Sequence, residues 1–121
     1  MTERRIILEM GTGADLYGRD YTKAACRAVD DAIRHSSITL FSSLGLSHEG
    51  MRVTVTIGVQ NPDEVDLDAV AAKLPRGRAE VQAVTGGLDV ANPDADGAHV
   101  IATAAIEAFL DVDPADWRLS D

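Results

Sequence analysis

The stretch Gly11-Thr12-Gly13-Ala14-Asp15-Leu16-Tyr17-Gly18 puts three glycines, a carboxylate and a phenol within eight residues, with Asp20 and Lys23 just beyond. A strand that enters such a loop and leaves into a helix presents backbone N–H groups and a positive helix end to an anion. There Asp15 can bind a substrate N–H or serve as general base, Tyr17 can donate from its phenol, and Lys23 can balance a carboxylate or an enolate. The N–H groups of the Gly11, Gly13 and Gly18 loop would hold a developing anion. Asp20 and the small turn Thr85-Gly86-Gly87 complete the expected ligand-binding set. A local reading of the same residues is that Asp15 caps a neighbouring N–H and the glycines merely permit a tight turn. The motif is neither a dinucleotide fingerprint nor a P-loop, because position 16 is leucine and no Gly-Lys-Ser/Thr follows.

The other reactive residue types are scattered. His35, His48 and His99 show no His-x-His or His-x₃-His spacing, so no metal site and no cofactor is expected. Cys26 sits on the alanine side of a helix and reads as packing. Ser36, Ser37, Ser42 and Ser43 lack the context of a nucleophile elbow and read as turn and capping residues.

The elements that must position these groups follow from periodicity. Residues 5–10 alternate as a strand with Ile6, Leu8 and Met10 as its strongly buried face, and the glycine loop 11–18 is expected to break it. Asp20 caps a helix over 21–35 whose apolar stripe is Tyr21, Ala25, Ala28, Val29, Ala32 and Ile33. Residues 36–50 read as loop. Arg52 to Val59 alternates cleanly as a strand, and Asn61-Pro62 ends it. Asp66 caps a second helix over 67–74, with Leu67, Val70, Ala71 and Leu74 as its stripe and Pro75 and Gly77 as its stop. Arg78 to Thr85 is a further strand, Gly86-Gly87 turns the chain, and 91–97 is a polar loop. Residues 99–112 fit both periods, but seven consecutive alternations from Val100 to Val112 favour a long, bulged strand.

This order predicts one α+β domain over 1–112, a mostly antiparallel sheet with two helices on one face, followed by a polar acidic tail over 113–121 that carries Trp117. The other sheet face would be bare. Val53, Val55 and the alanine-rich last strand are the residues expected to bury it against further copies, as a homo-oligomer and most simply a trimer.

Composition narrows the function classes. The 121 residues are 45% hydrophobic and 26% charged, with net charge −9. Residues 1–50 hold six bases against seven acids, and residues 51–121 five against thirteen. Such a balance repels phosphate backbones and anionic headgroups, so neither nucleic acid nor membrane is an expected partner. No apolar run spans a bilayer, no signal-peptide pattern opens the chain, and one cysteine forms no intrachain disulfide, which together make the cytoplasm the expected compartment.

The pattern Gly-x-Gly-x-Asp-x-Tyr-Gly-x-Asp-x-Thr-Lys-Ala-Ala from Gly11, the strand Val-Thr-Ile-Gly-Val from Val55 and the turn Thr-Gly-Gly-Leu from Thr85 resemble a small family of conserved hypothetical proteins named after a Listeria locus. That family has no established function and its hallmark is Gly-x-Gly-x-Asp-x-His-Gly; Tyr17 stands where it has histidine. The chain is also similar, more faintly, to one repeat of the ring-opening amidohydrolases, cyanuric acid hydrolase and barbiturase. Their three related domains enclose a central active site, which implies a trimeric single-repeat relative. Those enzymes use lysine–serine pairs, whereas Thr85 and Glu9 stand at the corresponding places here.

Two functions fit these residues. One is a small polar-metabolite site at a subunit interface, with proton transfer or hydrolysis of a carbonyl or amide compound if the protein is an enzyme. The other is a non-catalytic regulatory or structural module in which the loop is only a turn.

Overall fold

The computed structural model describes residues 2–34, 52–74, 78–94 and 97–112. They form β1 (Thr2–Asp15), α1 (Tyr21–Arg34), β2 (Arg52–Val59), a 3-10 turn (Pro62–Glu64), α2 (Leu67–Ala71), β3 (Arg78–Thr85), β4 (Leu88–Ala91) and β5 (Ala98–Val112). The expectations for the 36–50 loop and its serines, His35, His48, Pro75, Gly77 and the 113–121 tail with Trp117 lie outside the described residues.

One sheet carries the strands in the order β1-β5-β2-β3, and β4 pairs with β5. β5 is antiparallel to β1, β2 and β4, whereas β2 and β3 are parallel. Both helices lie on one face. The domain is therefore α+β with a mostly antiparallel sheet, and alternation did identify residues 99–112 as strand.

The first strand departs from expectation. It does not stop at Met10 but runs through both glycines to Asp15. Gly11 and Gly13 are not hinges: among the described residues the positive-φ glycines are Gly87 and Gly97. They instead let α1 sit almost on the strand. A Cβ at Gly11 would lie 2.4 Å from the Ala28 carbonyl oxygen, and one at Gly13 2.3 Å from the Ala28 nitrogen. Ala24, Ala28 and Ala32 complete this close approach from the helix side and are fully buried. The bulge expected in the last strand lies in its partner, where Arg5 pairs with Phe109 and Ile7 with Ala108, leaving Ile6 as the extra residue.

The register decides which face is covered. Val55 pairs with Ile106, Ile57 with Ala104, and Gly11 with Ala104 on the other side of β5. These residues, with Val53, Val59, Val100, Ala102 and Ala108, form the core beneath the helices. Val53, Val55 and the buried alanines of β5 are thus not on the bare face, which corrects the expectation that they meet another subunit. Successive side chains alternate, so the bare face carries Arg52, Thr54, Thr56, Thr103, Ala105, Glu107 and Phe109. It is partly salted: Arg5 pairs with Glu107 at 3.1 Å, and the Arg52 guanidinium lies 4.3 Å from the Phe109 ring centre. Leu8 and Met10, expected on the buried side of the first strand, lie on this bare face and are exposed, as are Val84, Leu88 and Val90; Ile7, paired with Ala108, is the buried residue instead.

The second helix is shorter than its stripe suggested. Asp66 caps it by accepting from the Ala69 N–H at 3.2 Å, but of the described stripe only Val70 is buried, and Leu67 is exposed. β4 was not anticipated at all.

Candidate functional site

The carboxyl ends of β1, β2 and β3, the first turn of α1 and the start of β5 meet at one end of the sheet. The chain turns there from Asp15 to Tyr21, from Val59 to Asn61 and from Thr85 to Leu88.

Asp15 is the one buried charged residue among the described residues, 4% exposed. Its Oδ2 accepts from the backbone N–H groups of Gly18 at 3.1 Å and Asp20 at 2.9 Å. Its Oδ1 faces Lys23 Nζ at 3.9 Å and Arg27 Nη1 at 3.8 Å. Asp20 then caps α1: its Oδ1 accepts from the Lys23 N–H at 3.0 Å, and its carbonyl from Ala24 N–H at 3.1 Å. The helix end that an incoming anion would use is thus already served by two carboxylates of the chain itself. The loop is 16–20 rather than 11–18, and its backbone strain falls on Arg19, at φ 49°, not on Gly18.

The remaining expected residues separate. Lys23 stays beside Asp15, half exposed. Tyr17 points outward, 90% exposed, with its ring edge-on to that of His99, the ring centres 6.5 Å apart. His99 Nδ1 lies 2.9 Å from the Leu16 carbonyl oxygen, so this nitrogen carries the proton and donates. Thr85, Gly86 and Gly87 carry the chain across the end of β2. The Gly86 N–H donates to the Val59 carbonyl at 2.9 Å, and the Gln60 amide donates to the Gly86 and Gly87 carbonyls at 3.0 and 3.3 Å. Gly87 takes φ +60° with its virtual Cβ 2.1 Å from the Ile101 carbonyl oxygen, so only glycine fits this crossing.

A second polar group lies at the same end. Tyr21, 2% exposed, donates its phenol proton to Asp89 Oδ2 and accepts from the Asn61 amide at 2.8 Å. Arg19 Nη2 lies 3.8 Å from the same Asp89 oxygen. Tyr21 foremost, and the Asp89 and Glu64 carboxylates in addition, hold the Arg19 guanidinium above its ordinary pKa. Asp89 Oδ1 is buried and has no hydrogen-bond partner, the one such side-chain oxygen or nitrogen among the described residues. Among those residues, no three His, Cys, Asp or Glu side chains are grouped to hold a metal ion, and no helix is long and apolar enough to cross a membrane.

Residues 5–108 match the conserved hypothetical protein family Lin0512_fam. The chain belongs to that family. The fold of this Lin0512_fam chain is also that of a solved protein, an FtsZ-like protein of unknown function from Nostoc punctiforme. The two are 34% identical with a TM-score of 0.79, over 93% of this chain and 99% of the other. No curated protein is similar to the chain.

Sequence reasoning missed Arg19, Tyr21, Asn61 and Asp89 as a group. Tyr21 read as the first residue of a core stripe, which it is, but its hydroxyl end is polar and buried. A buried tyrosine needs a partner for its O–H, and that requirement is the signal that pointed beyond the core. Asp89 was hidden because β4 spans only four residues, too few for a periodicity.

Proposed function

We propose that this Lin0512_fam protein binds a small polar metabolite at the end of the sheet where Arg19, Tyr21, Asn61 and Asp89 converge. The observation that carries this reading is the bare, buried Oδ1 of Asp89. Native structures leave few buried polar atoms unsatisfied, and an unmet carboxylate oxygen costs more than a neutral one. Placed at the mouth of three strands, beside a half-exposed guanidinium, it is a carboxylate oxygen for which the described residues supply no donor.

In this reading Asp15 is a positioning residue. It fastens the 16–20 loop that carries Arg19, while Lys23 and Tyr17 stand at the rim and the Gly86-Gly87 crossing sets the height of β4. Any proton transfer or hydrolysis then falls to the Tyr21–Asp89 pair rather than to Asp15.

The protein acts as a homo-oligomer of its own copies, a trimer or a multiple of one, with the bare sheet face as the contact. Leu8, Met10, Val84, Leu88 and Val90 support this, since a helix covers none of them. A solution mass of one chain at micromolar concentration would refute the assembly without touching the site.

A thermal-shift screen tests the site: small acids, amides, amines and pyrimidine- and pterin-like rings against wild type and Asp89→Asn. A ligand at a hundredfold excess over its dissociation constant adds about 2.7 kcal/mol to stability. The reading expects a stabilising compound whose effect is lost in Asp89→Asn. A compound that stabilises both proteins equally, or none at all, refutes it.

A further inference from the structure

Resting on that site, we infer that the group it recognises is a small organic cation with forked N–H donors, an amidinium or guanidinium, which takes the place of Arg19 on Asp89. Three observations combine. The first is geometric: Tyr21 occupies Asp89 Oδ2, whereas Oδ1 has no donor among the described residues. A planar fork of two N–H groups can meet Oδ1 and share Oδ2, the arrangement in which carboxylates bind amidinium-type groups most strongly.

The second is that the resident cation is poorly seated. Arg19 Nη2 stands 3.8 Å from Oδ2, beyond hydrogen-bond distance, and its side chain is 54% exposed. Its backbone sits in the left-handed region that a residue with a Cβ adopts at a cost. A half-exposed side chain at that distance from the Asp89 carboxylate, on a strained residue, is one that an entering ligand can displace.

The third decides the ligand's charge. Arg19 is the cation that faces the Asp89 carboxylate. Moving Arg19 aside for a neutral donor leaves a largely buried carboxylate without its counter-charge, and an anion would make this worse. Only a cation keeps the balance, and the net charge of −9 favours its approach.

Acetamidinium, acetamide and acetate share one shape and differ in charge and donors, so they form the test. Each is titrated at constant ionic strength into ¹⁵N-labelled wild type, Asp89→Asn and Arg19→Gln, with the amide signals of Asn61 and Asp89 followed. Acetamidinium should bind, at least tenfold more tightly than the other two. Its binding should weaken at least tenfold in Asp89→Asn and tighten severalfold in Arg19→Gln, where the competing cation is gone. If Asp89→Asn fails to fold, the Arg19→Gln arm decides alone, because lost or unchanged binding there overturns the displacement. Tighter binding of acetamide or acetate at the same signals overturns the cation while leaving the site intact. If none of the three moves those signals but a compound from the thermal-shift screen does, the ligand class falls and the site stands. If nothing does, Oδ1 is met by water and both fall.

Discussion

Asp15 and Asp89 flank Val100 on the helix-covered side of the sheet, each directly across from it on opposite neighbours of β5. Two strand spacings put them roughly 10 Å apart. They are chemically alike and differently served. Asp15 takes two backbone N–H groups and faces two cations, whereas Asp89 has one oxygen with no partner among the described residues. The first carboxylate builds the loop and the second is left open by it.

Removing the Asp15 carboxylate should therefore act on folding before it acts on binding. Asp15→Ala orphans the Gly18 and Asp20 N–H groups and is expected to cost about 2–4 kcal/mol in urea unfolding. Asp15→Asn keeps an acceptor and should cost less than half of that. Equal stability of all three proteins would remove Asp15 from the loop's support.

Gly13→Ala should destabilise by about 1–3 kcal/mol or more, because the new methyl meets the backbone of α1 rather than a flexible side chain. Gly97→Ala is the contrast, since its Cβ would enter open space and only its φ of 110° resists the change. A thermal melt of Gly13→Ala that matches wild type would show that α1 is not seated on β1 in this way.

At position 19 the backbone and the side chain make opposite demands. Arg19→Gly relieves the left-handed strain and Arg19→Ala does not, although both lose the guanidinium. The glycine variant should melt roughly 4 °C above the alanine variant. Equal melting temperatures would place position 19 outside the left-handed region.

Cys26 supplies a pH dependence. Burial pushes its thiol above the ordinary value, with Lys73 opposing and Asp30, Asp20 and Asp66 reinforcing the shift. The folded chain thus holds the thiol proton to higher pH than the unfolded one does. The stabilisation is full below the unfolded thiol's pKa and is lost as pH rises through the folded value, so stability should fall as the solution passes about pH 9. That alkaline slope should flatten in Cys26→Ala, and disulfide-exchange labelling of native protein at pH 8 should run slower than that of a free thiol. An identical slope in both proteins would mean that Cys26 titrates alike in the two states.

Much of the framework was legible in the chain because two of its strands alternate without interruption: β2 and β3 have the boundaries that periodicity gave. What misled was glycine. Gly11 and Gly13 suggest a loop when read along the chain, and their true reason, the nearness of Ala28, lies on another element. The site was legible only in part for the same reason. Asp15, Asp20 and Lys23 are close in sequence and the structure does bring them together, whereas the meeting of Tyr21 with Asn61 and Asp89 depends on β4, a strand that exists because Gly86 and Gly87 can cross the end of β2.

The placement of β5 has a bearing on how the protein is made. β5 is the last of the described strands in sequence, yet it lies between β1 and β2 and also carries β4. During synthesis β1 and α1 emerge with no strand beside them, and β2 and β3 can form only their two-stranded parallel pair. No strand pairing joins the two halves of the sheet until residues 98–112 clear the ribosome and insert between them, a long-range closure of the kind that slows folding. Until then the unpaired edges of β1 and β2 face the cell, so the nascent chain, more than the finished protein, is the form most in need of a chaperone.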